Sequence, residues 1–451
     1  MRNGFLLLAC GLIIALGVVA VPFPDGAIAI GLVLALSVFP ILIFRRLTPE
    51  KEFITNLYLV ALVLRMGFGV FIHIFDLRTF FGGDYASYDS HGAALVDGWL
   101  GHPDLSNQYG YQVDPASGPG WGMNYLTAFI YLLVGRNIFA AQSFCAVIGA
   151  ATAPLVFFCS QKIFNNMRVA KVTAIAIAVF PSFVIWSGQL LKDGLIIFLL
   201  VLVMTLVLQL QEQFGYGALI VLVLSLFGIL SLRFYIFYMV VIAVIGSFII
   251  GVTRSTRHLL RNTAILVFVG VSLTYLGVGQ RASSELNKYA NLESIQRSRS
   301  DLARANTGYA EDIDVSTTEG AITLMPIGFA YLMLAPFPWQ MSNLRQMITM
   351  PEVLLWWAMV PFLVTGLIYT IKHRLRKAFP MLIFSLLLTF AYSIFQGNVG
   401  TAYRQRTQIQ VFLFVLIGVG WTVKQEAREN KKIIQAAARM RLDDRLRVRY
   451  K

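Results

Sequence analysis

The chain has 451 residues, 57% of them hydrophobic and only 13% charged, with a mean hydropathy of +0.69. Repeated apolar runs of roughly 15 to 24 residues match the thickness of a hydrocarbon core, so this composition excludes a soluble multidomain protein and defines an all-α polytopic membrane protein. The net charge of +14 is no sign of nucleic-acid binding, because the basic residues fall in short clusters between apolar runs and in the tail after Lys424.

Backbone amides find no water in hydrocarbon, so each spanning run must be helical. The first run, 5–20, reads as a span rather than a cleaved signal peptide, since 21–26 lacks a small-x-small cleavage site. With 27–44 it forms an extra N-terminal transmembrane pair within 1–52. A transmembrane catalytic domain is expected over 53–423, with outer loops 76–136 and 279–349, followed by a basic cytoplasmic tail at 424–451. Its first run, 53–75, carries Arg65, read as part of an intramembrane ion pair or a hydrated groove.

Just beyond it, FGGDYASYDSHGAALVDG (81–98) presents Asp84 and Asp89 among aromatics after a Gly-Gly turn. Asp84 reads as a catalytic carboxylate or as the cap of the helix that follows. Asp89 reads as a second catalytic carboxylate or, with Ser90, as the N-cap of that helix. His91 and His102 share the loop, but their spacing is diagnostic of no metal, and a divalent cation stays open. After the turn-forming PASGPG, the run 121–134 is too short to span and reads as an interfacial or re-entrant helix.

Further spans are expected at 137–160, 169–187, 194–211, 217–232, 234–252, 260–278, 353–371, 378–396 and 409–423, about twelve in all. Lys192 and Asp193 precede the third of these, and Arg233 separates the fourth from the fifth. The loop 279–349 carries the mixed-charge stretch NLESIQRSRSDLARANTGYAEDIDVSTTEG, too short for an independent core and read as a partly ordered cap. Within it 325–339, with three prolines, is a second interfacial segment. Arg404 and Arg406 follow QGNVGTAY, and the tail reads as an amphipathic helix lying on anionic lipid. Cys10, Cys145 and Cys159 all fall in apolar runs and form no disulfide framework.

The positive-inside rule places the clusters Arg45/Arg46/Lys51, Lys162/Arg168/Lys171, Arg254/Arg257/Arg261, Lys372/Arg374/Arg376/Lys377 and the tail in the cytoplasm. Asp84, Asp89, Lys192, Asp193, Arg233, Arg404 and Arg406 then all fall at the extracytoplasmic ends of spans. A single outer-face site is the expectation.

In this order the segments resemble the GT-C membrane glycosyltransferases, in particular bacterial relatives of the protein O-mannosyltransferases and aminoarabinose transferases. The resemblance rests on D-x3-Y-x9-G at Asp84, Tyr88 and Gly98, on PG-x4-Y at Pro119, Gly120 and Tyr125, and on the run VGRNIFAAQSFCAVIGA. It continues through the turn after FFCSQKIF, Pro181, the acidic turn at Asp193, Arg233-Phe-Tyr and GTAYRQR. The chain departs from the family in its extra N-terminal pair and in reading LKDG at the acidic outer turn.

The resemblance implies a GT-C-like bundle and an inverting glycosyltransferase of the bacterial inner membrane. It would move a sugar from a polyprenyl-phosphate donor to an extracytoplasmic glycan, lipid or protein acceptor. A carboxylate must then take the acceptor's proton and cations must hold the departing phosphate, roles that fit Asp84 and Asp89 on one side and Arg233, Arg404 and Arg406 on the other. Lys192 and Asp193 would face Asp84 across the cavity. Two other activities stay open: a polymerase or ligase of polyprenyl-diphosphate-linked polysaccharide, which leans on arginines, and a transporter or flippase of a lipid-linked sugar.

Overall fold

The computed structural model describes residues 2–102, 120–250, 256–280, 283, 291–341 and 343–449. Pro119 and most of the PASGPG turn lie outside the described residues, as does part of the expected loop 279–349. Among the described residues the chain is all helical, with one isolated bridge between Gly308 and Asn398. The first half runs α1 (Arg2–Ala20), α2 (Asp25–Arg46), α3 (Lys51–Ile74), α4 (Arg78–Phe81), α5 (Asp84–Trp99), α6 (Trp121–Val134), α7 (Ile138–Phe164), α8 (Met167–Val179) and α9 (Pro181–Ser187). The second runs α10 (Lys192–Glu212), α11 (Tyr216–Leu232), α12 (Phe234–Ile250), α13 (Thr256–Tyr275), α14 (Leu292–Ala303), α15 (Thr318–Leu334), α16 (Leu344–Phe395) and α17 (Val399–Arg449).

Six of the described helices, α2, α3, α7, α10, α16 and α17, are long and apolar enough to cross a membrane, and the bent pair α8–α9 makes a seventh. This is the pattern of an integral, polytopic membrane protein. The expected count of twelve is not reached by this measure. The apolar parts of α11, α12 and α13 are shorter, at 10–17 residues, and the runs 353–371 and 378–396 are fused into the 52-residue α16. The basic cluster between those runs is a kink at Arg374 (φ −136°, ψ 17°) and no loop.

The centre of the bundle is α7, whose sequence FAAQSFCAVIGAATAP is rich in Ala, Gly, Ser and Thr. Small side chains let neighbouring backbones approach closely. Accordingly α2, α3, α8 and α10 all pack on α7, and most of its residues are buried. The second half closes on α16 and α17, which share the broadest helix contact in the molecule.

Pro181 has no amide hydrogen, and the chain bends by 55° between α8 and α9. The carbonyls freed at Ile177 and Ala178 accept hydrogen bonds from the Arg65 guanidinium at 3.4 and 3.2 Å. Arg65 also donates to the Ala61 carbonyl and to the Ser187 hydroxyl and is 1% exposed. It is therefore neither half of an ion pair nor a groove residue, because backbone oxygens of a broken helix absorb its donors.

At the other end of the chain, α17 runs from Val399 to Arg449 without a break at Lys424. The basic tail thus extends the last span as one helix and is not a separate helix laid on lipid. The expected cap begins at Asn291, and α14 is tied down by fully buried Arg299, which donates to the carbonyls of Tyr309, Ala310 and Ile313. Burial lowers the pKa of that guanidinium from its ordinary value. The cap docks on the loop before α17: Tyr309 N–H bonds the Gly397 carbonyl and Val399 N–H bonds the Thr307 carbonyl, each at 2.9 Å. Within the expected interfacial segment 325–339, α15 extends through Leu334 and a 3-10 turn follows at Pro338–Gln340.

Candidate functional site

Asp84 opens α5 directly after the Gly82–Gly83 turn, and the helix has no side-chain cap there. The carboxylate reaches across to Arg404, Nη1 to Oδ2 at 2.8 Å. The same guanidinium forks onto Asp193: Nη2 lies 2.6 Å and Nε 2.7 Å from Oδ2. Arg233 completes the group with an Nη2–Oδ1 contact of 3.1 Å to the other oxygen of Asp193. Four residues separated by as much as 320 positions in the sequence thus form one continuous ion network.

Local sequence explains why these side chains meet. Asp193 falls in the first turn of α10, where the helix dipole favours a carboxylate. Arg233 is the extended residue between α11 and α12 (φ −152°, ψ 99°), and that break turns its side chain toward α10. Arg404 lies in the second turn of α17, and its guanidinium sits 5.7 Å from the Trp186 ring, a cation–π contact. Lys192, beside Asp193, brings its ammonium against Gly120, whose φ of +85° and tight approach to Lys192 Nζ leave no room for a Cβ.

Burial divides the network. The Asp193 side chain is 0% exposed, Arg233 7% and Arg404 15%, whereas Asp84 is 48% exposed. Two guanidinium groups and one ammonium face two carboxylates, leaving an excess of one positive charge in a site whose sole half-exposed member is Asp84. Both carboxylates are engaged by arginine, so this donor set suits an anion and does not fit a divalent cation. Among the described residues no group of three or more His, Cys, Asp or Glu is arranged to hold a metal.

Tyr88, four residues after Asp84 and on the same helical face, is buried beside the network. Burial raises its phenol well above the ordinary value, reinforced by the Asp84 and Asp193 carboxylates and opposed by Arg404 and Arg233. It therefore remains a hydrogen-bond donor and is no base.

Two of the expected site residues are turned elsewhere. Asp89 sits in the middle of α5, so neither it nor Ser90 is an N-cap. Its carboxylate is held by Arg136, at 2.6 and 3.2 Å, and by the Tyr131 hydroxyl at 2.7 Å. Arg406 is 0% exposed, and its Nη1 donates to the carbonyls of Met333 and Ala335 at 3.0 and 3.1 Å, closing the C-terminus of α15. The gathered set is Asp84, Lys192, Asp193, Arg233 and Arg404. Sequence reasoning assigned no site role to Trp186, Tyr235 and Tyr392, which line the network; aromatic side chains in apolar helices give no signal that separates a site wall from ordinary packing.

No family model, no curated protein and no solved structure matches this chain.

Proposed function

We propose that the protein is an inverting glycosyltransferase that moves a sugar from a polyprenyl-phosphate donor to an acceptor hydroxyl outside the cytoplasm of a bacterial cell. The observation that carries this reading is the Arg404 guanidinium bridging a buried carboxylate, Asp193, and a half-exposed one, Asp84, with Arg233 behind it. Asp193 fixes the two arginines so that their remaining donors are set before a ligand arrives. A lipid phosphate competes with Asp84 for Arg404, and its arrival frees the Asp84 carboxylate next to the bond to be broken.

In the reaction, Asp84 accepts the proton of the acceptor hydroxyl as that oxygen forms its bond to the anomeric carbon. The bond from that carbon to the phosphate oxygen breaks from the opposite face, which inverts the configuration. The negative charge left on the polyprenyl phosphate is neutralised by Arg404, Arg233 and Lys192. An acceptor outside the cytoplasm, and with it the placement of the site on the outer leaflet of the inner membrane, belongs to the same proposal. It is supported by the position of the cluster at the opposite end of α10 from the ion pairs of Glu212 with Lys162 and Lys377.

Transfer of labelled sugar from a synthetic polyprenyl phosphate in proteoliposomes tests the proposal. Asp84→Asn is expected to lower turnover by roughly 10²- to 10⁴-fold while donor binding survives, and Arg404→Ala to abolish donor binding. A polymerase or ligase that acts through arginine alone would keep its turnover in Asp84→Asn. Unaltered transfer in both variants overturns the assignment.

A further inference from the structure

Directly beneath the ion network lies a layer of uncharged polar side chains that the transfer chemistry does not use. Gln405 and Gln408 lie three residues apart on one face of α17, just past Arg404. Tyr235 follows Arg233 at the start of α12, Tyr392 is in the last turn of α16, and Gln396 is the residue that ends α16. These five side chains touch one another: Tyr392 Oη donates to Gln408 Oε1 at 2.6 Å, and Gln396 Nε2 donates to Gln405 Oε1 at 2.7 Å. Tyr235 Oη lies 3.4 Å from Tyr392 Oη and 3.5 Å from Gln405 Oε1.

Gln396 and Gln408 are 0% exposed and Tyr392 is 1% exposed. Even so, Gln396 Oε1 and Gln408 Nε2 have no hydrogen-bond partner. Exchanging the oxygen and nitrogen of either amide changes which atom is orphaned and removes neither orphan. Buried amides are ordinarily satisfied, and a pair left open in one layer, against a guanidinium that meets a ligand, points to a group supplied from outside. The chemistry of that group follows from the donor set. An isoprenoid chain satisfies no amide, and a second phosphate accepts hydrogen bonds without donating any and finds no further cation in this layer. A hydroxyl both donates and accepts, as an amide does.

We infer that Gln396, Gln405, Gln408, Tyr235 and Tyr392 form a subsite for a neutral, hydroxyl-bearing group, which on the glycosyltransferase reading is the pyranose of the lipid-linked donor. The inference rests on that reading for the identity of the anion next door, and it adds a division of labour. Arg233 and Arg404 hold the phosphate, and the amide layer selects the sugar attached to it.

The test compares binding of bare polyprenyl phosphate with binding of the same lipid carrying glucose, mannose or N-acetylglucosamine, using the full chain in nanodiscs. Wild-type protein is expected to prefer at least one glycosylated lipid over the bare phosphate by on the order of tenfold to a hundredfold. Gln408→Leu is expected to bind bare phosphate as wild type does and to lose that preference. Gln396→Met provides the same readout at a position outside α17 should Gln408→Leu fail to fold, and retained phosphate binding is the control for folding in both. Variants that bind bare phosphate and keep the full preference overturn the subsite and leave the phosphate reading standing. Wild-type protein that binds neither lipid overturns the phosphate reading, and the subsite with it.

Discussion

Asp84 and Asp193 are both carboxylates on Arg404, yet their surroundings assign them opposite consequences on removal. Asp193 is fully buried between two guanidinium groups, and deleting its charge leaves both of them uncompensated in a low-dielectric interior. Asp193→Asn is expected to cost roughly 3–5 kcal/mol of stability. Asp84 is half exposed and Arg404 keeps its other partner, so Asp84→Asn is expected to cost less than about 1 kcal/mol while removing transfer activity. Thermal unfolding in detergent beside the transfer assay separates the two; an Asp84→Asn protein as unstable as Asp193→Asn would mark Asp84 as structural. The sequence shows both carboxylates of α5 but cannot rank them until the helix is known to begin at Asp84. Five residues then turn Asp89 by about 140° from Asp84, toward Arg136 and Tyr131, whereas Tyr88 stays on the Asp84 face. Arg404 and Arg406 diverge for the same reason, being about 200° apart on α17.

The bent pair α8–α9 is the element that sets Trp186 beneath Arg404, and its bend is held by Arg65. Removing those donors in Arg65→Met strands the Ile177 and Ala178 carbonyls at a cost of about 1–3 kcal/mol each. Pro181→Ala would restore the amide hydrogen that the Ile177 carbonyl lacks, so the two substitutions are expected to be coupled: Arg65→Met should destabilise a Pro181→Ala background by clearly less than it destabilises wild type. A double-mutant cycle on unfolding in detergent measures this, and strictly additive losses would show that Arg65 does not cap the break. Both residues stand out in the sequence, one as a charge inside an apolar run and the other as a proline inside another. Their connection does not, because the acceptors are backbone oxygens that leave no trace in residue identity. Helix lengths were legible only in part for a related reason: 372–377 reads as a loop by charge, yet it continues as helix through a kink because no proline or glycine is present to end it.

Across the whole molecule, charge is sorted to two ends. Glu212 at the end of α10 binds Lys162 and Lys377, while Lys171 binds Glu50 and Arg168 binds Glu429, so the basic clusters between spans converge with the start of the tail. Asp193, at the opposite end of α10, anchors the ion network. The 21 residues of α10 rise about 30 Å, the thickness of a hydrocarbon core, which puts the two charge clusters at opposite faces of a bilayer. This sorting is what the sequence reported most directly, since hydrocarbon tolerates unpaired charge poorly at any depth between the two faces. It leads to a labelling experiment with single cysteines introduced at exposed positions. Ser87→Cys on α5 and Asn306→Cys on the cap should react with a membrane-impermeant maleimide in intact cells, and Ala436→Cys on the tail should react only after permeabilisation. Of the native cysteines, Cys145 and Cys159 are buried, and replacing Cys10 removes the remaining background. Reaction of Ser87→Cys and Ala436→Cys from the same side would place the ion network and the tail on one face and undo the site as an outer-leaflet pocket. Opposite reactivity places Arg404 where a lipid phosphate of the outer leaflet can reach it, with the tail of the same helix in the cytoplasm.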